Sequence, residues 1–424
     1  MSKLIYLTGI HLYQFLIWLV SPVNPKARRW VKGRQNWLPN LKALLHNNTA
    51  PLVWFHAASL GEFEQGRPVM EAFRAQYPTH KILLTFFSPS GYEVRKNYTG
   101  ADYIVYLPAD TPANAQQFVA VVKPVLAFFI KYEFWHFYLS ELKIAGVPTV
   151  SFSAIFRPSQ IFFRWYGGFY RAILRQFTHL LVQNQESVAL LTFIDSQKVT
   201  LAGDTRFDRV TQVAAARRDI PLAAAFKRGD PLLVIGSAWP ADMDVLIPFL
   251  NQFTHPLKVI IAPHELHDAD IERWCSQLTK PSVRYSQLIG ETSLPSTIPF
   301  NQLIIDNVGM LSSLYQYGEY AYIGGGFGKG LHNSLEAATF GVPLLFGPNY
   351  TRFQEAVALV SEGAAFPVTT TTELTAALSR LYTNPDLLAK TGTISRDYVR
   401  RNIGATAKVM DVVDAILPEK EKTH

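Results

Sequence analysis

From residue 51 onward the chain repeats one pattern: a short run of β-branched and aromatic residues, apolar on both faces, followed by a longer helix-like stretch. The first runs fall at Pro51 to Ala58, Lys81 to Phe87, Tyr103 to Leu107, Pro124 to Ile130, Val147 to Phe152 and Leu180 to Gln183. A strand without a polar face has to be covered on both sides, which is the condition of a parallel sheet wrapped by helices. After an Ala- and Arg-rich stretch, Val213 to Asp230, the alternation resumes at Pro231 to Gly236, Leu257 to Ala262, Leu303 to Asp306, Tyr320 to Gly324 and Val342 to Phe346. A length of 424 residues exceeds what one hydrophobic core accommodates, so two doubly wound α/β domains in tandem are expected. The expected division is an N-terminal segment 1–40, a first domain 41–215 and a second domain 216–424, with a C-terminal helix that could pack back on the first. Ligands of open α/β sheets bind at the carboxyl ends of the strands, and two such domains facing each other make a cleft. Only the tail from Glu419 to His424 reads as frayed.

The segment ahead of this pattern has a different character. No Asp or Glu precedes Glu62, while Lys3, Lys26, Arg28, Arg29, Lys32, Arg34 and Lys42 supply seven cations, equal to the whole net charge of +7. These cations follow an apolar run, Leu4 to Val20, with Trp18 and Trp30 close by, an arrangement that favours a membrane over nucleic acid. Ser21-Pro22-Val23 is a poor signal-peptide cleavage site, so the run is expected to be a retained anchor or interfacial helix, its basic flank on the cytosolic side. A buried core helix is the alternative. The single cysteine, Cys275, excludes an internal disulfide and a cysteine-based zinc site, and fits a reducing compartment.

Four constellations could carry chemistry. Gly324 to Glu336 runs from a strand through five glycines to a helix expected near Asn333, a junction at which backbone N–H groups can approach a phosphate. It is not a P-loop, since Gly330 follows Lys329, and it lacks the GxGxxG spacing. Asn333 and Glu336 have capping-box spacing, so Glu336 either closes the helix start or accepts hydrogen bonds from a ribose. His56 to Glu62 follows the first strong strand, and Glu62 is a candidate general base or else an ordinary first-turn acid. Glu133 follows a very apolar strand among aromatics, where ionisation is costly unless paired, with Lys131 or an arginine as the structural partner. Arg206, in Gly203 to Asp208, could balance charge on a leaving phosphate. Between Lys143 and Gln185 there is no acid, and Arg157, Arg164, Arg171 and Arg175 lie among Phe156, Phe162, Phe163, Trp165, Tyr166, Phe169 and Tyr170. That cluster reads as a surface for an anionic lipid or phosphorylated acceptor, in preference to single-stranded nucleic acid.

Taken together these residues resemble the bacterial Kdo transferases, which move 3-deoxy-D-manno-octulosonic acid (Kdo) from its CMP ester to the lipid A precursor. The resemblance rests on the apolar-basic start with Gly33-Arg34, on His56 to Glu62 (HxxSxGE), on Glu133, on Gly203 to Asp208 and on Gly324 to Glu336, and it covers nearly the whole chain. It implies a GT-B fold and an inverting transfer without metal or cofactor. Acceptor is then bound by the first domain and CMP by the second, at the cytoplasmic face of the inner membrane. By position Glu62 corresponds to the general base, and Glu133 and Arg206 to transition-state stabilisers. The CMP contacts carry over to Pro263, His264, Gly309, Met310, Leu311, Asn333, Ser334, Leu335 and Glu336. The chain departs from the pattern where His264 replaces an arginine, Arg206 a lysine and Trp239 a histidine, and around Ser153 to Arg157. A UDP-sugar transferase or epimerase, and a non-catalytic membrane-bound nucleotide binder, are the alternatives.

Overall fold

The structure is a computed structural model that describes residues 2–196, 198–289, 300–328 and 330–417. Lys329 of the glycine-rich segment and the tail Glu419 to His424 lie outside these residues. The chain forms two compact units: the first runs to Arg209 and resumes at Ile403, and the second is Val210–Asn402. The division therefore falls inside the helix Thr205–Ala215, ahead of the expected 215/216, and the C-terminal helix belongs to the first unit.

The first unit is built on a parallel sheet of β1 (Leu52–Ala57), β2 (Lys81–Phe86), β3 (Tyr103–Tyr106), β4 (Leu126–Ile130), β5 (Thr149–Ala154), β6 (His179–Val182) and β7 (Val199–Leu201). Their order across the sheet is β3-β2-β1-β4-β5-β6-β7. Every residue of β1 and of β4 is buried, as apolarity on both faces requires. Val53, Phe55, Phe128 and Ile130 face Phe63, Met70 and Phe73 of the helix Leu60–Gln76, while Trp54, Ala127 and Phe129 face Phe118 and Tyr138 on the other side. Each large side chain buried in this way contributes about 1.5–3 kcal/mol of transfer free energy.

The helix Ala405–Ile416 adds Val409, Met410 and Val413 to the first of these layers. Its start is held by Asp208, whose two carboxylate oxygens accept from the N–H groups of Gly404 and Thr406, both at 2.6 Å. A residue of the Gly203 to Asp208 motif thus closes a helix nearly two hundred positions away in sequence.

The N-terminal helix α1 (Ser2–Val20) buries none of its residues, which excludes a core helix. One edge rests on the first unit: the Tyr6 hydroxyl donates to Asp110 at 2.6 Å, and Tyr13 stacks on Phe87 at 6.0 Å. The other side leaves Leu4, Ile5, Leu12, Phe15, Leu16 and Leu19 at least half exposed. By length and composition α1 is the helix among the described residues that could cross a membrane. Trp30, on α2 (Pro25–Lys32), is no interfacial ring. It is buried beneath the Arg34 guanidinium, 4.0 Å from its centroid, because Arg34 is itself tied to the carbonyls of Leu107 and Phe87.

The basic-aromatic stretch divides between core and surface, with Arg157, Arg164 and Arg175 exposed. Phe156 and Phe162 are core residues, joined by Phe134, while Trp165 and Tyr166 are the exposed rings. Arg171 donates to the carbonyls of Phe162 and Arg164, so it stitches its own loop together. Aromatic rings without a helical period were free to fold inward there.

The second unit holds β8 (Leu232–Ala238), β9 (Lys258–Pro263), β10 (Ser282–Arg284), β11 (Gln302–Ile304), β12 (Tyr320–Ile323), β13 (Leu344–Phe346) and β14 (Ala365–Pro367), all parallel. The order is β10-β11-β9-β8-β12-β13-β14. The edge strands β10 and β14 have only three residues each, too short to stand out from sequence.

Replacing Asp208 by Ala removes both acceptors at the start of the C-terminal helix, at a cost of about 1–2 kcal/mol for a lost cap. Amide hydrogen exchange over residues 405–416 is expected to accelerate by about tenfold relative to the β1 and β4 amides; unchanged protection contradicts the assigned role.

Candidate active site

In a doubly wound sheet the crevice for ligands opens where the strand order reverses. In the first unit that point lies between β1 and β4, and it gathers His56 of β1, Glu62 in the first turn after β1, and Glu133 and Trp135 after β4. The Trp135 indole N–H points to Glu133 Oε2 at 2.7 Å and to His56 Nε2 at 3.2 Å, and the same carboxylate oxygen is 3.4 Å from His56 Nε2. His56 is fully buried, and its Nδ1 meets Thr85 Oγ1 at 2.8 Å, a hydroxyl that also accepts from Trp54 Nε1 at 2.8 Å. Glu133, although buried, thus finds an indole and an imidazole beside it, in place of the expected cation. His56, Thr85 and Trp135 are the functional candidates missed from sequence. Only the spacing of His56 at a strand's carboxyl end hinted at them.

Glu62 does two things. Its Oε2 accepts from the Ser59 N–H at 2.8 Å and the Ser59 hydroxyl at 2.9 Å, which closes the start of the helix Leu60–Gln76. Burial, followed by the charge of Glu133, holds its carboxyl above the usual carboxylate range, with the Ser59 bonds pulling the other way. A helix-capping acid in water has the opposite shift, so the cap alone does not describe this residue.

Arg206 follows β7 and is gripped by Asp204: its Nε donates to Oδ2 at 2.9 Å and its terminal nitrogen lies 2.8 Å from the same oxygen. Asp204 in turn accepts from Gln65 Nε2 at 3.2 Å, and Thr205 donates to the Gln65 carbonyl at 2.5 Å. Gln65 is on the helix that begins at Glu62, so the arginine loop is pinned to that helix's first turns.

In the second unit the order reverses between β8 and β12. Trp239 follows β8, His264 follows β9, and Gly324 to His332 follow β12. The glycine-rich loop is consolidated around a buried carboxylate, Asp242, which accepts from the N–H of Gly325 at 2.8 Å, the N–H of Trp239 at 3.0 Å and the Tyr322 hydroxyl at 3.1 Å. Burial raises its pKa and these donors oppose the shift. Gly324 donates to the Gly236 carbonyl, and Gly328 and Gly330 to that of Gly325. Four N–H groups of the expected nest, those of Gly324, Gly325, Gly328 and Gly330, are therefore already engaged. Two glycines have a steric reason: Gly325 has φ +91°, and a Cβ on Gly326 would come within 2.6 Å of the Gly347 nitrogen. Asp242 was legible only as the acid two positions after Pro240 at a helix start.

The remaining sequence-derived donor residues lie around the same strand ends. Pro263 ends β9, and Gly309, with φ +89°, and Met310 lead into the short helix Leu311–Leu314. The next helix is Leu335–Ala338, which starts later than expected and has Ser334 as its cap residue. Asn333 and Glu336 do not form the reciprocal capping box. The Asn333 amide donates to Glu336 Oε1 at 3.0 Å and its carbonyl oxygen accepts from the Leu335 N–H at 3.2 Å. Among the described residues no three His, Cys, Asp or Glu side chains gather into a group that could hold a metal ion.

Residues 31–209 match the family model described as 3-Deoxy-D-manno-octulosonic-acid transferase (kdotransferase). The chain is 26% identical over 341 residues to the 3-deoxy-D-manno-octulosonic acid transferase of Aquifex aeolicus, covering 79% of this chain and 87% of that one. It is 22% identical over 415 residues to the protein of the same name from Haemophilus influenzae, covering 95% and 94%. Among solved structures, UDP-GlcNAc 2-epimerase from Neisseria meningitidis superimposes with a TM-score of 0.60 at 15% identity, over 85% of this chain and 98% of that one. That likeness shows the GT-B-like arrangement of two Rossmann-like units and nothing about substrate. The family's domain is matched over residues 31–209 and relatives of the same name align through both units, so the chain is similar to the 3-deoxy-D-manno-octulosonic acid transferases over most of its length.

Proposed function

We propose that this protein transfers Kdo from CMP-Kdo to a hydroxyl of a lipid A precursor, with inversion at the anomeric carbon. The observation that carries the reading is Glu62: a carboxylate at the reversal point of the first sheet, shifted toward neutrality by burial and by Glu133. In the proposed step Glu62 takes the proton of the acceptor hydroxyl as its oxygen bonds to the anomeric carbon. The bond from that carbon to the donor phosphate breaks, and its electron pair leaves with CMP. Glu133, braced by Trp135 and His56, keeps Glu62 basic, and Arg206 balances charge on the departing phosphate. CMP is assigned to the second unit, at Pro263, His264, Gly309 to Leu311 and Asn333 to Glu336. The exposed apolar side of α1, with the cations of α2 beside it, supports placement at the cytoplasmic face of the inner membrane, where such an acceptor resides.

Glu62→Gln should lower transfer by about 100- to 10,000-fold while CMP still binds; retained turnover would sink the assignment. The same variant separates base from cap. Because the folded-state pKa of Glu62 is raised, the folded protein holds its proton more tightly than the unfolded chain. Ionisation therefore costs stability as pH rises above the ordinary carboxylate value, in full once the folded pKa is passed. Gln keeps an acceptor for Ser59 and carries no charge, so the thermal midpoint of Glu62→Gln at pH 8 should equal or exceed that of the parent. A clear fall would mean that Glu62 serves the helix start alone.

Glu336→Ala tests the donor site. CMP affinity should drop by about tenfold, the scale of one charge-assisted hydrogen bond, and an unchanged affinity would restrict Glu336 to its bond with Asn333. In thermal-shift titrations CMP, and not UDP, should raise the midpoint; the reverse would favour a UDP-sugar enzyme.

A further inference from the structure

At the reversal point of the second sheet Trp239 and His332 lie nearly parallel, 10° apart with centroids at 6.1 Å, and His264 stacks against both. The centroid of His264 lies 4.4 Å from that of Trp239 at 24° between planes, and 4.1 Å from that of His332 at 28°. The Trp239 indole N–H donates to His332 Nε2 at 2.7 Å, which makes His332 the acceptor of the pair and places its own ring proton on Nδ1. His264 is held at its main chain by a 2.9 Å bond from its N–H to the Ala238 carbonyl, yet its side chain is exposed and makes no hydrogen bond among the described residues. The face of the imidazole is engaged and its nitrogens are open to a ligand. Around it the N–H groups of Gly324, Gly325, Gly328 and Gly330 are already engaged by the Gly236 carbonyl, Asp242 and the Gly325 carbonyl, so these four do not face an anion.

Resting on the CMP-sugar reading of this unit, we propose that the His264 imidazole is the donor-phosphate contact, and that binding a nucleotide phosphodiester draws one proton onto it. The donor affinity of this enzyme is then coupled to pH, as it would not be with a fixed cation. The groups that bear on His264 are Glu265 next to it, which favours its protonated form, and His332 against its ring. Asp242, at the start of the helix Pro240–Gln252, is occupied by Gly325, Trp239 and Tyr322. In the absence of ligand, partial desolvation of the ring face against Trp239 and His332 holds His264 below its ordinary value, and burial with the nearby His264 pushes His332 down to about 4. His332 therefore stays neutral and keeps accepting from Trp239, while an arriving phosphate raises His264. Affinity should climb as pH falls through the bound-state pKa of His264 and level off below its free value.

The test is calorimetric titration of the full chain with the methyl ester of CMP, whose phosphodiester keeps a single charge from pH 5.5 to 8. Titrations run in two buffers of different ionisation enthalpy. For the parent protein, proton uptake approaching one per ester is expected near neutral pH, with Kd rising by up to about tenfold per pH unit between the free and the bound pKa of His264 and levelling off above the bound value. H264R, which supplies a permanent cation, should bind with no uptake and a flat profile, and H264Q should bind weakly with no uptake. Uptake that persists in H264Q, or an ester that binds the parent with flat Kd and no uptake, overturns the inference and leaves the CMP site standing. Failure of the ester to bind at any pH overturns both readings.

Discussion

The rest of the molecule depends on one constraint: both sheets are parallel and buried on both faces, so their strands hold few polar side chains away from their ends. Helices leave to opposite faces where the strand order reverses, and the crevice left there is the one place in each unit where several strand ends converge. Both units have filled it alike. In the first, a tryptophan N–H reaches a histidine at 3.2 Å, and in the second another does so at 2.7 Å. An indole supplies a donor and a large apolar body together, so it can satisfy a buried polar group without bringing in water.

Buried carboxylates divide into two kinds by what surrounds them. Asp110 accepts from the N–H groups of Phe137 and Tyr138 and from the Tyr6 hydroxyl, and Asp242 is similarly surrounded by fixed donors. Burial still lifts Asp110 to about 6, but both acids organise backbone: one the turn after β4, the other the glycine-rich loop. Glu62 and Glu133 instead share each other's field, with far fewer donors between them. A site that keeps one carboxylate basic by placing another beside it is unstable by design, and the helix-capping bonds of Glu62 offset part of that cost.

Much of the fold was legible because burial on both faces leaves an unmistakable composition. Runs such as Leu126–Ile130 can hardly be anything but central strands, and each of the expected strands is present. Three-residue edge strands such as Ser282–Arg284 carry no such mark. The candidate site was legible as residue types after strands: Glu62, Glu133 and Arg206 stand in one unit, and His264 and Glu336 in the other. What each touches was not. Nothing local in the sequence links His56 to Trp135, Asp208 to Gly404 or Gly325 to Asp242, since these pairings are set by which strand ends become neighbours. The glycine-rich segment shows the limit most clearly: five glycines suggested amides turned outward to an anion, whereas the Gly325 N–H is taken by a buried aspartate far earlier in the chain and those of Gly324, Gly328 and Gly330 by carbonyls.

The central claim is that the crevice built on Glu62 joins Kdo to a lipid A precursor. Incubating the purified protein with CMP-Kdo and the precursor, then weighing the lipid product by mass spectrometry, tests it most directly. A lipid heavier by whole Kdo residues, with CMP released in matching amount, is the result expected. CMP-Kdo hydrolysed to free Kdo with the lipid mass unchanged, or no consumption of donor at all, would contradict it.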